Sequence, residues 1–133
     1  MTVMLDTNII ISAGLFGGGR LTETILRIAD DFNIVLSSEI IKELWRVMDR
    51  KFSDRKPAME KFFKHLSYDI SYTPTDIDED IYPKIRDKKD YPILASAIIA
   101  DVDVLITGDG DFEPVNIERP EILTIRQFSE KYL

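Results

Sequence analysis

Thr2-Val3-Met4-Leu5-Asp6-Thr7-Asn8-Ile9-Ile10-Ile11 is the stretch on which the fold turns. An apolar run leads into Asp6, passes Thr7 and Asn8, and becomes apolar again. A continuous Val/Met/Leu run fits a strand buried on both faces of a parallel sheet, although a buried helix would show the same run. As a strand it places Asp6 at its C-terminal end, where open α/β sheets build their ligand sites. A carboxylate beside so much apolar surface has to be paired, hydrogen-bonded or bound to a cation. Asp6 is therefore either the N-cap of a following helix or part of a functional site, and the rest of the chain has to separate the two.

Outward from this stretch, strand-like and helix-like segments alternate. Gly17-Gly18-Gly19 reads as a turn, without the spaced glycines and Lys-Ser/Thr of a phosphate loop. Leu21, Thr24, Ile25, Ile28 and Ala29 give a helix over Arg20–Asp31, followed by a short buried strand, Ile34-Val35-Leu36. Ser38 is expected to cap a helix from Glu39 to Phe52, with Ile40, Ile41, Leu44, Val47 and Met48 as its apolar stripe. At 100° per residue, Glu43 lies about 40° from Val47 and about 60° from Ile40, so it borders the buried face. Pro57–Ser67 reads as a further helix with His65 on its outer side, and Tyr68–Tyr72 as a strand.

Asp76–Asp80 is an acidic run suited to a solvated helix start. Asp90 then fits an N-cap, with Pro92 in the first turn of a helix apolar on most sides. Val104-Leu105-Ile106-Thr107 is a second strand that runs into acids, Asp109 and Asp111, and Ile122–Ile125 with a closing helix from Arg126 completes the chain. Such alternation implies βαβ units with right-handed crossovers in one mainly parallel α/β domain spanning residues 1–133. Asp6 and Asp109 then emerge at one sheet edge, with Asp90 and Glu43 on helices that reach it. Four converging carboxylates repel one another unless a divalent cation binds among them.

Composition limits the chemistry. The chain has no cysteine and one histidine, which removes thiolate sites and multi-imidazole zinc, and leaves oxygen ligands suited to Mg²⁺ or Mn²⁺. With 133 residues, 44% of them apolar and 31% charged, a single globular domain is expected. No signal pattern or membrane-length apolar run is present, so an intracellular, cytoplasmic protein without a membrane partner is expected. The net charge of −7 argues against a general nucleic-acid coat. Lys42 to Lys64 is the exception, with eight basic against four acidic side chains, a local +4. This is either a solvated helix face or a phosphate-binding patch.

Leu5-Asp6-Thr7-Asn8, Ser37-x5-Glu43-Leu44, Asp90-x3-Leu94-Ala95-x-Ala97 and Thr107-x-Asp109-x-Asp111-Phe112 together resemble the PIN-domain family. The similarity is greatest to its small prokaryotic VapC-like members, described as toxins of toxin–antitoxin pairs. The resemblance spans essentially the whole chain. It implies a three-layer α/β/α sandwich with a mainly parallel sheet of four to five strands. It also implies a metal-dependent ribonuclease using Mg²⁺ or Mn²⁺, with Asp6, Glu43, Asp90 and Asp109 as the acidic quartet. Asp111 would be an additional carboxylate, and Asn8 and Thr107 supporting polar groups. In Asp87-Lys88-Lys89-Asp90 two acids compete for the third position, and Asp90 is preferred because it opens the Pro-Ile-Leu-Ala helix. Lys42, Arg46 and Arg50 would hold the RNA backbone, and a cognate antitoxin and a homodimer are the implied protein partners.

Two rival readings stand beside this one. A non-catalytic PIN-like nucleic-acid-binding module would typically have lost an acid, and none of the four is missing. A haloacid-dehalogenase-type phosphatase also places Asp after its first strand, but wants a second Asp two residues on, where this chain has Asn8.

Overall fold

The structure is a computed structural model that describes residues 1–15, 19–73, 91–108 and 117–133. Its elements run β1 (Thr2–Leu5), α1 (Thr7–Leu15), α2 (Arg20–Asp31), β2 (Asn33–Ser37), α3 (Ser38–Lys51) and a 3-10 turn, Ser53–Arg55. There follow α4 (Lys56–His65), β3 (Asp69–Ser71), α5 (Tyr91–Ile99), β4 (Val104–Ile106), β5 (Glu121–Leu123) and α6 (Ile125–Tyr132). Among the described residues five strands form one sheet in the order β3-β2-β1-β4-β5, and all four pairings are parallel.

The centre of the sheet explains its sequence. Successive strand residues point to opposite faces. Val3, Met4 and Leu5 of β1 and Val104, Leu105 and Ile106 of β4 are all buried, so the sheet is covered on both sides. The expected three-layer α/β/α arrangement follows. The apolar run at the N-terminus is divided at Asp6: β1 stops at Leu5, and the isoleucines beyond belong to α1. Ile10 is fully buried, while Ile9 and Ile11 are nearly so. Phe32, at the end of α2, meets Phe128 of α6 edge-on with ring centroids 5.5 Å apart. Among the described residues, no single helix is long and apolar enough to cross a membrane.

Helix ends follow local rules, with departures from expectation at the starts of α3 and α6. Ser37, not Ser38, caps α3, its hydroxyl accepting from the Ile40 N–H at 3.0 Å. The Ser38 hydroxyl instead accepts the Thr73 N–H at 2.8 Å, tying α3 to the segment after β3. Arg50 and Lys51 occupy the last turn of α3, where cations suit the helix dipole. Thr124 and Gln127 form a reciprocal capping box, so Ile125 belongs to α6 and not to the last strand. Helix α5 ends in a Schellman turn: Val102 N–H reaches Ala97 C=O and Asp101 N–H reaches Ile98 C=O. Asp101 takes the left-handed conformation this turn needs, with φ 53°.

Candidate functional site

In the order β3-β2-β1-β4-β5, chain direction across the sheet reverses between β1 and β4. Ligands of open α/β sheets bind at such a switch point, outside the carboxyl ends of the strands. The pairing of Leu5 with Ile106 makes Asp6 and Thr107 the first residues beyond the ladder, and the Asp6 N–H still donates to Ile106 C=O at 3.0 Å.

Asp6 is 4% exposed, and each of its carboxylate oxygens has a donor. Oδ1 accepts the Ile9 N–H at 3.0 Å, which makes Asp6 the N-cap of α1. Oδ2 accepts the hydroxyl of Thr107, itself 3% exposed. Asp6 thus caps α1 while its carboxylate stands at the switch point, so the two readings of the sequence do not exclude one another. The next residue extends the arrangement to α3: the Thr7 hydroxyl donates to Glu43 Oε2 at 3.0 Å. Thr7 is buried and Glu43 half-buried, in keeping with a glutamate at the border of the apolar stripe. Two carboxylates are thus gathered around the first turn of α1, each held by a threonine.

The remaining candidates divide clearly. Asn8 is exposed on the first turn of α1. Lys42, Arg46 and Arg50 are exposed on α3 and, among the described residues, make no ion pair. Asp87, Asp90, Asp109 and Asp111 lie outside the described residues, as does the acidic run 76–80. His65 is exposed, as its place on the outer side of its helix predicts. Thr7, which joins the candidate site through Glu43, is the residue that sequence reading passed over. Its signal was its place between Asp6 and Asn8 at a helix start.

The described donors suit a hard cation. Asp6 and Glu43 offer carboxylate oxygens only, and neither thiol nor imidazole lies with them. Among the described residues no three acidic, histidine or cysteine side chains are grouped to enclose a metal. Any full ligand set therefore draws on acids beyond these two.

The PIN-domain family model matches residues 2–111, most of the chain, including Asp6, Glu43 and the positions of the other candidate acids. The chain belongs to the PIN-domain family. PIN domains are generally nucleases that use divalent metals. Among solved structures, this PIN domain is similar to a chain in the crystal structure of VapBC2 from Rickettsia felis bound to a DNA fragment from their promoter. That match has a TM-score of 0.67 at 19% identity and covers 92% of this chain and 97% of the other, so the two share a fold. No curated protein matches this PIN domain in sequence.

Proposed function

We propose that this PIN domain is an Mg²⁺- or Mn²⁺-dependent endoribonuclease that hydrolyses RNA phosphodiesters as the toxin of a toxin–antitoxin pair. The observation that carries this reading is the joining of Asp6 to Thr107 and of Glu43 to Thr7 at the carboxyl edge of the switch point. Asp6, Glu43, Asp90 and Asp109 would hold the cation, with Asp111 in support. When bound, the cation supplies Lewis-acid polarisation of the scissile phosphate and compensation for its charge.

The chain's own groups do the rest. Thr107 and the Ile9 N–H fix both oxygens of Asp6, so its orientation costs nothing at the moment of reaction. Thr7 commits its proton to Oε2 of Glu43, which would leave the other oxygen, Oε1, to face the cation. Lys42, Arg46 and Arg50 recur every fourth residue along α3, about 6 Å apart at 1.5 Å per residue. They supply phosphate contacts that position an RNA strand without reading its sequence. The antitoxin partner is supported by the likeness to the VapBC2 structure, and a homodimer and a cytoplasmic location belong to the same reading.

The test is incubation of purified protein with mixed single-stranded RNA in Mg²⁺, Mn²⁺ or EDTA, beside an Asp6→Asn variant. Metal-dependent cleavage lost in the variant is expected. RNA binding without cleavage under either metal would replace the nuclease with a binding module. Release of phosphate from small phosphoesters alone would revive the phosphatase.

A further inference from the structure

We propose that Thr7 is a positioning residue that sets Glu43 for cation binding, an inference that rests on the nuclease reading above. Asp6 needs no such help from another helix, because its cap bond to Ile9 is made within its own turn. Glu43 stands on α3, and nothing on α3 itself fixes its carboxylate. Among the described residues its only side-chain partner is the Thr7 hydroxyl at 3.0 Å.

A threonine hydroxyl has one proton to give. Given to Oε2, it fixes the carboxylate rotamer and leaves Oε1 for the cation. Thr7 is 3% exposed, so water has little room to replace it. Because Thr7 directly follows Asp6, one helix turn sets the spacing between both carboxylates. Groups that orient metal ligands in this way typically contribute about 10- to 100-fold in metal affinity or activity.

The experiment titrates Mn²⁺ alone, without RNA, into wild type, Thr7→Val, Thr7→Ser, Glu43→Ala, Thr7→Val/Glu43→Ala and Asp6→Asn by calorimetry. Circular dichroism verifies the fold of each. Thr7→Val is expected to weaken Mn²⁺ binding at least about tenfold, and Thr7→Ser, which keeps the hydroxyl, to return it to within a few-fold. In the Glu43→Ala background, Thr7→Val should add nothing, since its action passes through Glu43. In RNA cleavage, kcat should fall in Thr7→Val while KM holds, because the α3 cations are untouched. Thr7→Ala carries the same expectation and replaces Thr7→Val if the latter disturbs the start of α1.

Equal Mn²⁺ affinity in wild type and Thr7→Val, with Asp6→Asn impaired, overturns the role of Thr7 and leaves the nuclease reading standing. Additive losses from Thr7→Val and Glu43→Ala also overturn it. A wild type that binds no Mn²⁺ overturns both.

Discussion

The hydroxyl of Thr107 donates to the carboxylate of Asp6 across 101 positions of sequence, joining the ends of the two central strands. Thr107→Val removes this donor but leaves the Ile9 cap bond in place. A hydrogen bond to a buried charged group contributes about 1.5–3 kcal/mol, so urea unfolding should show a loss of that order. On the proposed reading, RNA cleavage should fall about 10- to 100-fold in the same variant. Unchanged stability would mean that Oδ2 is equally well satisfied without Thr107.

Gly14 of α1 packs against Met59 and Phe62 of α4. A Cβ built there would lie 2.5 Å from Sδ and 2.7 Å from Cε of Met59, which is fully buried. The obstacle is the end of a flexible side chain, so Gly14→Ala should be tolerated at a cost of about 1–3 kcal/mol. Combining it with Met59→Ala should destabilise less than the sum of the two single changes, because the cavity accepts the new methyl. Additivity in denaturant titrations would show that the two positions do not share this space.

Acid should loosen the fold at places remote from the candidate site. The Thr2 N–H donates to Asp103 at 2.8 Å and, with Arg119 nearby, holds that carboxyl below its ordinary value. Glu121 is lowered by its bond to Lys131, then by the Tyr132 hydroxyl at 2.6 Å. Carboxylates with depressed folded values contribute stability that is complete above their unfolded values and is lost as pH falls through the folded ones. Urea midpoints should therefore decline below about pH 4. Asp103→Asn/Glu121→Gln should be less stable at neutral pH and flatter in acid. An acid limb identical to wild type would assign the loss to other carboxylates.

The α3 cations give a salt signature. If Lys42, Arg46 and Arg50 each neutralise one phosphate, binding to single-stranded RNA should fall with a log–log slope of about −2 from these three alone. Each Ala substitution should reduce that slope by about 0.7. Fluorescence anisotropy on the Asp6→Asn protein, which should not cleave, measures it directly. A slope unaffected by all three substitutions would place the RNA elsewhere.

Much of this architecture could be read from pattern. Val3–Leu5 and Val104–Ile106 are unbroken apolar runs because their strands are covered on both faces, and such runs stand out in any sequence. The border position of Glu43 followed from helical angle alone. Its bond to Thr7 did not, because it depends on how α1 is rotated against α3, which only packing decides. The choice between Ser37 and Ser38 was equally non-local: Ser38 is taken by the Thr73 N–H, 35 positions later. Strand order has no local signature at all, so the reversal between β1 and β4 emerged only from the pairing.

That reversal has a consequence for synthesis. Synthesis runs from β1 towards β4, so β1 is made about a hundred residues before β4, the partner on one of its flanks. Until then the edge of Val3-Met4-Leu5 that will pair with β4 stays open, and open apolar edges invite association with other chains. Asp6 meanwhile has its cap but not Thr107. A ribosome that stops short of β4 thus releases a sticky fragment with half a site, and the proposed cleavage activity waits until β4 has been made.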